Sequence, residues 1–150
     1  MLHILLPAQV DRSFHGPRLP VYVFAVIAVI STLRSLIHLL APDGGAGSIA
    51  GLDLASGRKG IVFAFALWGS SQLIYAVIQL LAAFRYRSLT PLMYLLLICE
   101  TILRMWVGRT HPARFLHTPP GAIGNYVMLP LAAGMLARCL FGEERQSRLG

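Results

Sequence analysis

The sequence predicts an all-α integral membrane protein, a four-helix bundle with up-down-up-down order. Of its 150 residues, 56% are hydrophobic and 13% are charged, whereas an ordinary soluble domain carries about 25% charged residues. The mean hydropathy is +0.66. Four apolar runs each reach about 20 residues, the length a helix needs to cross roughly 30 Å of hydrocarbon. This pattern predicts one membrane domain over 20–141 and leaves no room for a second, soluble domain.

The predicted segments follow from these runs. Residues 1–19 contain a short apolar start broken by Pro7 and lack the layout of a signal peptide, so we expect an interfacial or loose N-terminal arm. The spans are predicted at about 20–41, 61–84, 90–107 and 122–141, followed by a polar, frayed C-terminal tail at 142–150.

The second half of the first span carries a polar stripe. Ser31, Arg34, Ser35 and His38 lie at i, i+3, i+4 and i+7, which places them on one helical face. Near the end of a span, Arg34 and His38 can either snorkel toward the membrane surface or face the inside of the bundle.

The second span carries another polar face. Gln72, Tyr75 and Gln79 are spaced i, i+3, i+7, and Gly69 precedes two serines. Small residues let helices approach closely, and glutamine in a span forms interhelical hydrogen bonds. The alternative is that these glutamines line a cavity.

The third span holds the feature around which the rest is organised. Glu100 and Arg104 lie four residues apart in an otherwise apolar run, acid before base, which is the favourable order for a pair. Thr90 followed by Pro91 predicts an N-cap and a proline in the first turn. The short link 85–89 predicts a tight hairpin between the second and third spans.

The remaining segments offer little chemistry. His111 and His117 are six residues apart with no nearby acid or cysteine, which does not match a zinc motif, and we expect no metal site and no cofactor. The fourth span carries Asn125 near its start and contains a kinking Pro130. Cys99 and Cys139 are predicted to be small buried side chains at different depths, too far apart for a disulfide.

Alternating spans bring the polar residues to one end of the bundle. The end of the first span, the start of the second, the end of the third and the start of the fourth share one membrane face. The glycine-rich loop 42–60, which is either a lid or a mobile connector, and the segment 108–120 cap that same end. The candidate ligand-binding residues gathered there are Arg34, His38, Gln72, Glu100, Arg104 and Asn125.

Arginine and lysine placement predicts the orientation. The net charge of +7 lies mainly in loops and tails, no nucleic-acid-binding pattern accompanies it, and no nucleic-acid partner is expected. The side of the bundle with the segments 42–60 and 108–120 carries four basic residues, Arg58, Lys59, Arg109 and Arg114. The side with the termini and the 85–89 link carries seven, Arg12, Arg18, Arg85, Arg87, Arg138, Arg145 and Arg148. This excess predicts a cell inner (plasma) membrane protein with both termini in the cytoplasm.

Two interpretations of the polar end stay open. In the structural one, Glu100 pairs with Arg104 or Arg34 and fixes which helices meet. In the functional one, the arginines, Glu100 and His38 line an outward pocket for a lipophilic or anionic molecule, such as a lipid head group, a quinone or an acidic metabolite. We favour a ligand-binding or accessory subunit.

Two other functional classes are compatible with the sequence. One is a membrane enzyme acting on a lipid-like or quinone-like substrate, with Glu100 or His38 as the catalytic acid or base. The other is a protomer of an oligomeric transporter or channel. The expected partners are membrane lipids, a small molecule of the kind described, and further copies of the chain or a larger membrane complex.

The layout resembles the small four-span bacterial membrane proteins called DoxX-like. The shared features are a first span closed by proline (LLAP, to Pro42), a glycine-bearing second span (LWGSSQL) and a basic link before the third span. The resemblance covers about residues 20–141. It implies a four-helix membrane bundle, and some members of that family are linked with quinone or sulfur redox chemistry.

Overall fold

Four long helices make up most of the computed structural model, which describes residues 2–14 and 16–147. About 72% of the chain is helical, and this confirms the predicted all-α four-helix bundle. The described part contains four helices that are long and apolar enough to cross a membrane. The chain is therefore a small multi-pass membrane protein. After a short helix α1 (Leu2–Leu5), the long helices are α2 (Arg18–Leu40), α3 (Arg58–Phe84), α4 (Thr90–Thr110) and α5 (Pro120–Ser147).

The two ends of the bundle differ in their connections. One end, called the link end below, carries the 3-10 turn Arg87–Leu89 between α3 and α4, together with the residues before α2. The other, called the loop end, carries the loops 41–57 and 111–119. Helix α5 continues through Pro130 to Ser147, into the segment predicted as a tail, and residues 148–150 lie outside the described part.

The helices associate as two pairs. α2 packs along α3 and α4 packs along α5, while contacts between the two pairs are sparse. The predicted tight hairpin of the second and third spans is therefore wrong, because α3 and α4 are connected by the short link but touch little. The α2–α3 approach is close at Gly69, where an added Cβ would lie 2.7 Å from His38 Cβ and 2.8 Å from the Leu39 nitrogen.

The apolar core lies toward the link end. Phe24 of α2 meets Tyr94 of α4 edge to face at 5.5 Å between ring centroids, and the Tyr94 hydroxyl donates a 2.7 Å hydrogen bond to the Pro20 carbonyl. Alanines allow the other helices to approach these rings closely. The buried cluster consists of Phe24, Ile27, Ala28, Ala82, Ala83, Met93, Tyr94, Leu97, Ala132 and Cys139.

The start of α4 departs from the prediction. The N-cap position is Leu89, without a side-chain hydrogen bond, and Thr90 is already helical. The predicted Thr90 cap is wrong because the 3-10 turn leads directly into the helix. The Thr90 hydroxyl is buried and has no hydrogen-bond partner among the described residues.

The N-terminal arm is held against the link between α3 and α4. The N-terminal arm is not loose, because the Ser88 hydroxyl accepts from the Asp11 amide and donates to the Asp11 carbonyl, both at 3.1 Å. Cys99 and Cys139 do not form a disulfide with each other. Cys139 is buried as predicted, but Cys99 is exposed on the outer surface of α4, so the prediction of burial is wrong for that residue.

Candidate functional site

The centre of the candidate site is the ion pair on α4. Arg104 Nη1 lies 3.6 Å from Glu100 Oε1, and 29% of the Glu100 and 25% of the Arg104 side chain are exposed. The α-helical spacing brings the two side chains onto the same face. The pair is therefore partly enclosed by the protein and partly open to its surroundings.

Arg34 of α2 faces this pair across the bundle. Glu100 attracts it and Arg104 repels it. No carboxylate among the described residues lies within ion-pairing distance of Arg34. Its guanidinium carbon lies 6.0 Å from the centroid of the Trp68 ring, at the outer limit of a cation–π contact. Two arginines and one glutamate give the cluster a net charge of +1.

A small polar cavity lies beside this cluster. Its volume is about 10 Å³, close to the minimum that admits one water molecule. A lipid head group or a quinone ring does not fit inside it, so such a ligand can reach the cluster only from the exposed side. The cavity is lined by Ser31, Arg34, Ser35, Gln72, Tyr75, Gln79 and Glu100.

Of the six predicted ligand-binding residues, Arg34, Gln72 and Glu100 come together at this cavity, and Arg104 joins them through Glu100. Asn125 is half-buried near the start of α5 and does not line the cavity. The cavity is also lined by Tyr75, Gln79, Ser31 and Ser35, which the sequence placed on polar helix faces but which were not predicted as site residues. Their helical spacing from Gln72 or Arg34 was the sequence signal that could have assigned them to the site.

His38 belongs to a different environment. Its Nδ1 lies 2.7 Å from the Gly44 carbonyl, and since a carbonyl only accepts, Nδ1 donates. The ring stacks on Trp68 at 4.9 Å and meets Phe65 edge to face at 5.5 Å. These contacts anchor the start of the 41–57 loop to α2 and α3.

The two loops at the loop end are joined. Leu52 and Phe115 form an isolated antiparallel bridge, in which the Asp53 amide donates to the Arg114 carbonyl at 3.1 Å and the Leu116 amide to the Gly51 carbonyl at 2.7 Å. We call this bridge the loop clip. Both loops therefore cap the same end of the bundle, as the alternation of the spans predicted.

Asp43 organises the longer loop. Its carboxylate accepts hydrogen bonds from the amides of Gly45, Gly47 and Ser48 and from the Ser48 hydroxyl, at 2.7–3.2 Å. The amide donors from Ser48 and Gly45 stabilise the ionised form and lower the pKa of Asp43 to about 2. Gly44 and Gly45 have φ values of +61° and +71°, which only glycine adopts without strain.

The described residues contain no group of three or more His, Cys, Asp or Glu side chains that could hold a metal ion. Comparisons with protein-family models, curated proteins and solved structures found no match to the chain. The resemblance to DoxX-like proteins stays a prediction.

Proposed function

We propose that this membrane protein is a ligand-binding or accessory subunit, and that its ligand is an anionic, amphipathic molecule held by Arg34 and Arg104. The observation that carries the proposal is the unbalanced charge of the cluster. Within the described chain, two guanidinium groups share one carboxylate, and Arg34 has no ion-pair partner. An ionised group inside a membrane span is costly unless a partner compensates it, and a monoanion would neutralise the cluster.

The exposed surface of α4 supports an amphipathic ligand. Leu103 is 60% exposed and Val107 is 47% exposed, and both lie on the Glu100–Arg104 face at helical spacing. Arg104 is six residues from the end of α4, about 9 Å along the helix axis. An anionic head group near the membrane surface can therefore reach Arg104 while its apolar chain lies along Leu103 and Val107.

The proposed site leaves His38 and Asn125 outside. His38 donates its Nδ1 proton to the loop and is enclosed by aromatic rings, which favours a structural role. Among the alternatives, an enzyme with Glu100 as its acid or base and an oligomeric transporter stay predictions.

Native mass spectrometry of the purified protein tests the proposal, with phosphatidylglycerol as the anionic probe and phosphatidylcholine as its zwitterionic counterpart. We expect the protein to retain phosphatidylglycerol preferentially. In the variant Arg34→Gln/Glu100→Gln/Arg104→Met, whose cluster is uncharged, we expect affinity for phosphatidylglycerol to fall at least about tenfold through loss of charged hydrogen bonds.

Arg138→Gln is the matched control, because Arg138 is an exposed arginine on α5 outside the cluster. It removes one positive charge and should leave binding unchanged. Undiminished retention of phosphatidylglycerol by the folded triple variant would show that the cluster is not the ligand site.

We further propose that the protein lies in the cell inner (plasma) membrane, with the link end facing the cytoplasm and the loop end facing outward. The seven-to-four distribution of basic residues supports this orientation. In a Cys99→Ala background, Ala113→Cys in the exposed outer segment should react with an impermeant thiol reagent on intact cells, and Arg87→Cys should not. The reverse pattern of labelling would invert the orientation.

A further inference from the structure

The cavity beside Arg34 contains an unusual set of buried polar atoms. Arg34 Nε, Gln72 Oε1 and Gln79 Oε1 are buried and have no hydrogen-bond partner among the described residues. All three residues line the cavity, and Gln79 is only 1% exposed. An unpaired polar group in a membrane interior is strongly unfavourable, so this arrangement calls for a small polar molecule that both donates and accepts hydrogen bonds.

We propose that the cavity is a binding site for a single water molecule that accepts a hydrogen bond from Arg34 Nε and donates one to Gln79 Oε1. A volume of about 10 Å³ with polar walls suits one water and excludes larger ligands. The Gln79 carbonyl oxygen is buried and has no partner among the described residues, so it is available to accept from the water.

The antiparallel packing of α2 and α3 selects Gln79 over Gln72. Gly69 lies level with His38 and Leu39, which places Arg34 between Gln72 and Gln79 in height, with Gln79 about 8 Å further along the axis. Side chains on a helix lean toward its N-terminus. Arg34 and Gln79 therefore lean toward each other, and the gap left between them suits a bridging water. Gln72 leans toward the loop end, away from that gap.

The water site extends the function of the cluster without depending on the anionic ligand. A water on Nε hydrates Arg34 from inside the bundle and leaves the terminal guanidinium nitrogens to face Glu100 and the exposed side. The structure thus provides Arg34 with one partner on its inner side, whichever molecule binds at the outer side.

A crystal structure grown in a lipid mesophase, at a resolution that shows ordered water elsewhere in the protein, tests this inference. We expect one isolated density peak at hydrogen-bonding distance from both Arg34 Nε and Gln79 Oε1. An empty cavity in such a map, or elongated density too large for water, would overturn it.

Radiolytic labelling by X-rays gives a second measurement, because a bound water produces hydroxyl radicals next to Tyr75. We expect Tyr75, which is half-buried and lines the cavity, to be labelled in the wild type. Gln79→Met, which keeps the volume and removes the acceptor, should lower this labelling about fivefold through the lost hydrogen bond. The matched variant Gln72→Met should retain it. Equal losses in both variants, or none in Gln79→Met, would refute the assignment to Gln79.

Discussion

The link end and the loop end of the bundle are stabilised by different interactions. Toward the link end, Phe24 and Tyr94 pack edge to face and small alanines bring the helices close together. Toward the loop end, the space between the helices holds Arg34, Glu100 and Arg104, a water-sized cavity and unpaired polar atoms.

This difference separates the residues that pack the bundle from the residues of the candidate site. Lipid tails are as apolar as leucine, so close packing and hydrogen bonds hold helices together there, rather than the hydrophobic effect. The link end meets those conditions with its own side chains, apart from the buried Thr90 hydroxyl. The loop end leaves charge and hydrogen-bonding groups without partners among the described residues, and the proposed function rests on that feature.

The largest expected effect comes from Tyr94 in the link-end core. Tyr94→Ala removes the ring contact with Phe24 and leaves a cavity, which should lower the free energy of unfolding by about 3–5 kcal/mol. Tyr94→Phe keeps the ring and loses only the hydrogen bond to the Pro20 carbonyl, which should lower the free energy of unfolding by about 1 kcal/mol. Unfolding of the purified protein by SDS measures both.

Tyr22→Ala is the control for this comparison, since Tyr22 lies on the exposed face of the same bundle and should change stability little. If Tyr94→Ala is no more destabilising than Tyr22→Ala, the core does not lie at the link end.

The next effect concerns the loop end. Glu100→Gln leaves both arginines without a counter-ion, and because the pair is partly exposed the loss should be about 2–3 kcal/mol, less than the 3–5 kcal/mol of a fully buried pair. Glu100→Gln/Arg104→Met should recover much of it. A single variant that unfolds like the wild type would mean that the pair is fully solvated.

A smaller effect is expected where α2 and α3 touch. The Cβ of Gly69→Ala would collide with the His38 side chain and the Leu39 backbone, so the helices must separate slightly. This separation should lower the free energy of unfolding by about 1–3 kcal/mol. Gly134→Ala on α5 has open space around the new methyl group and should be neutral or slightly stabilising. Similar SDS unfolding curves for the two variants would contradict the close approach at Gly69.

The smallest effect is confined to the 41–57 loop and depends on pH. The pKa of Asp43 is lowered from 3.8 to about 2, so its carboxylate stabilises the loop above pH 4, and this contribution is lost as the pH falls from about 4 through 2. Asp43→Asn should remove this dependence. Hydrogen exchange at the Gly45 and Ser48 amides reports it, after correction for the intrinsic effect of pH on exchange. A wild-type loop equally protected at pH 2 and pH 5 would contradict it.

The sequence predicted the number and order of the helices because span length and hydropathy determine them. It also predicted that Arg34, Glu100 and Arg104 lie close together, because spans that alternate in direction place the second half of the first span beside the second half of the third. It failed to predict that α3 separates from α4, because lipid and protein interior are equally apolar and a uniformly apolar helix does not show which face packs. The exposure of Cys99 was not predicted for the same reason, because the sequence does not show which face of α4 packs against protein.

Contacts between segments that are distant in the chain could not be predicted from the sequence either. The loop clip depends on two irregular segments meeting through backbone groups, which every residue carries. The role of His38 depended on the conformation of the loop that supplies the Gly44 carbonyl. In the site, Gln79 and Tyr75 were recognisable as a polar face, but their assignment to the cavity required the relative height of α2 and α3.

The ties at the two ends have a mechanical consequence. The α2–α3 and α4–α5 pairs touch sparsely along their length, yet the Asp11–Ser88 hydrogen bonds pin them at one end and the loop clip pins them at the other. The Tyr94–Pro20 hydrogen bond and the Phe24–Tyr94 contact join the pairs at a third level. The separation between Arg34 on one pair and Glu100 on the other is therefore set by contacts that lie outside the polar cluster itself.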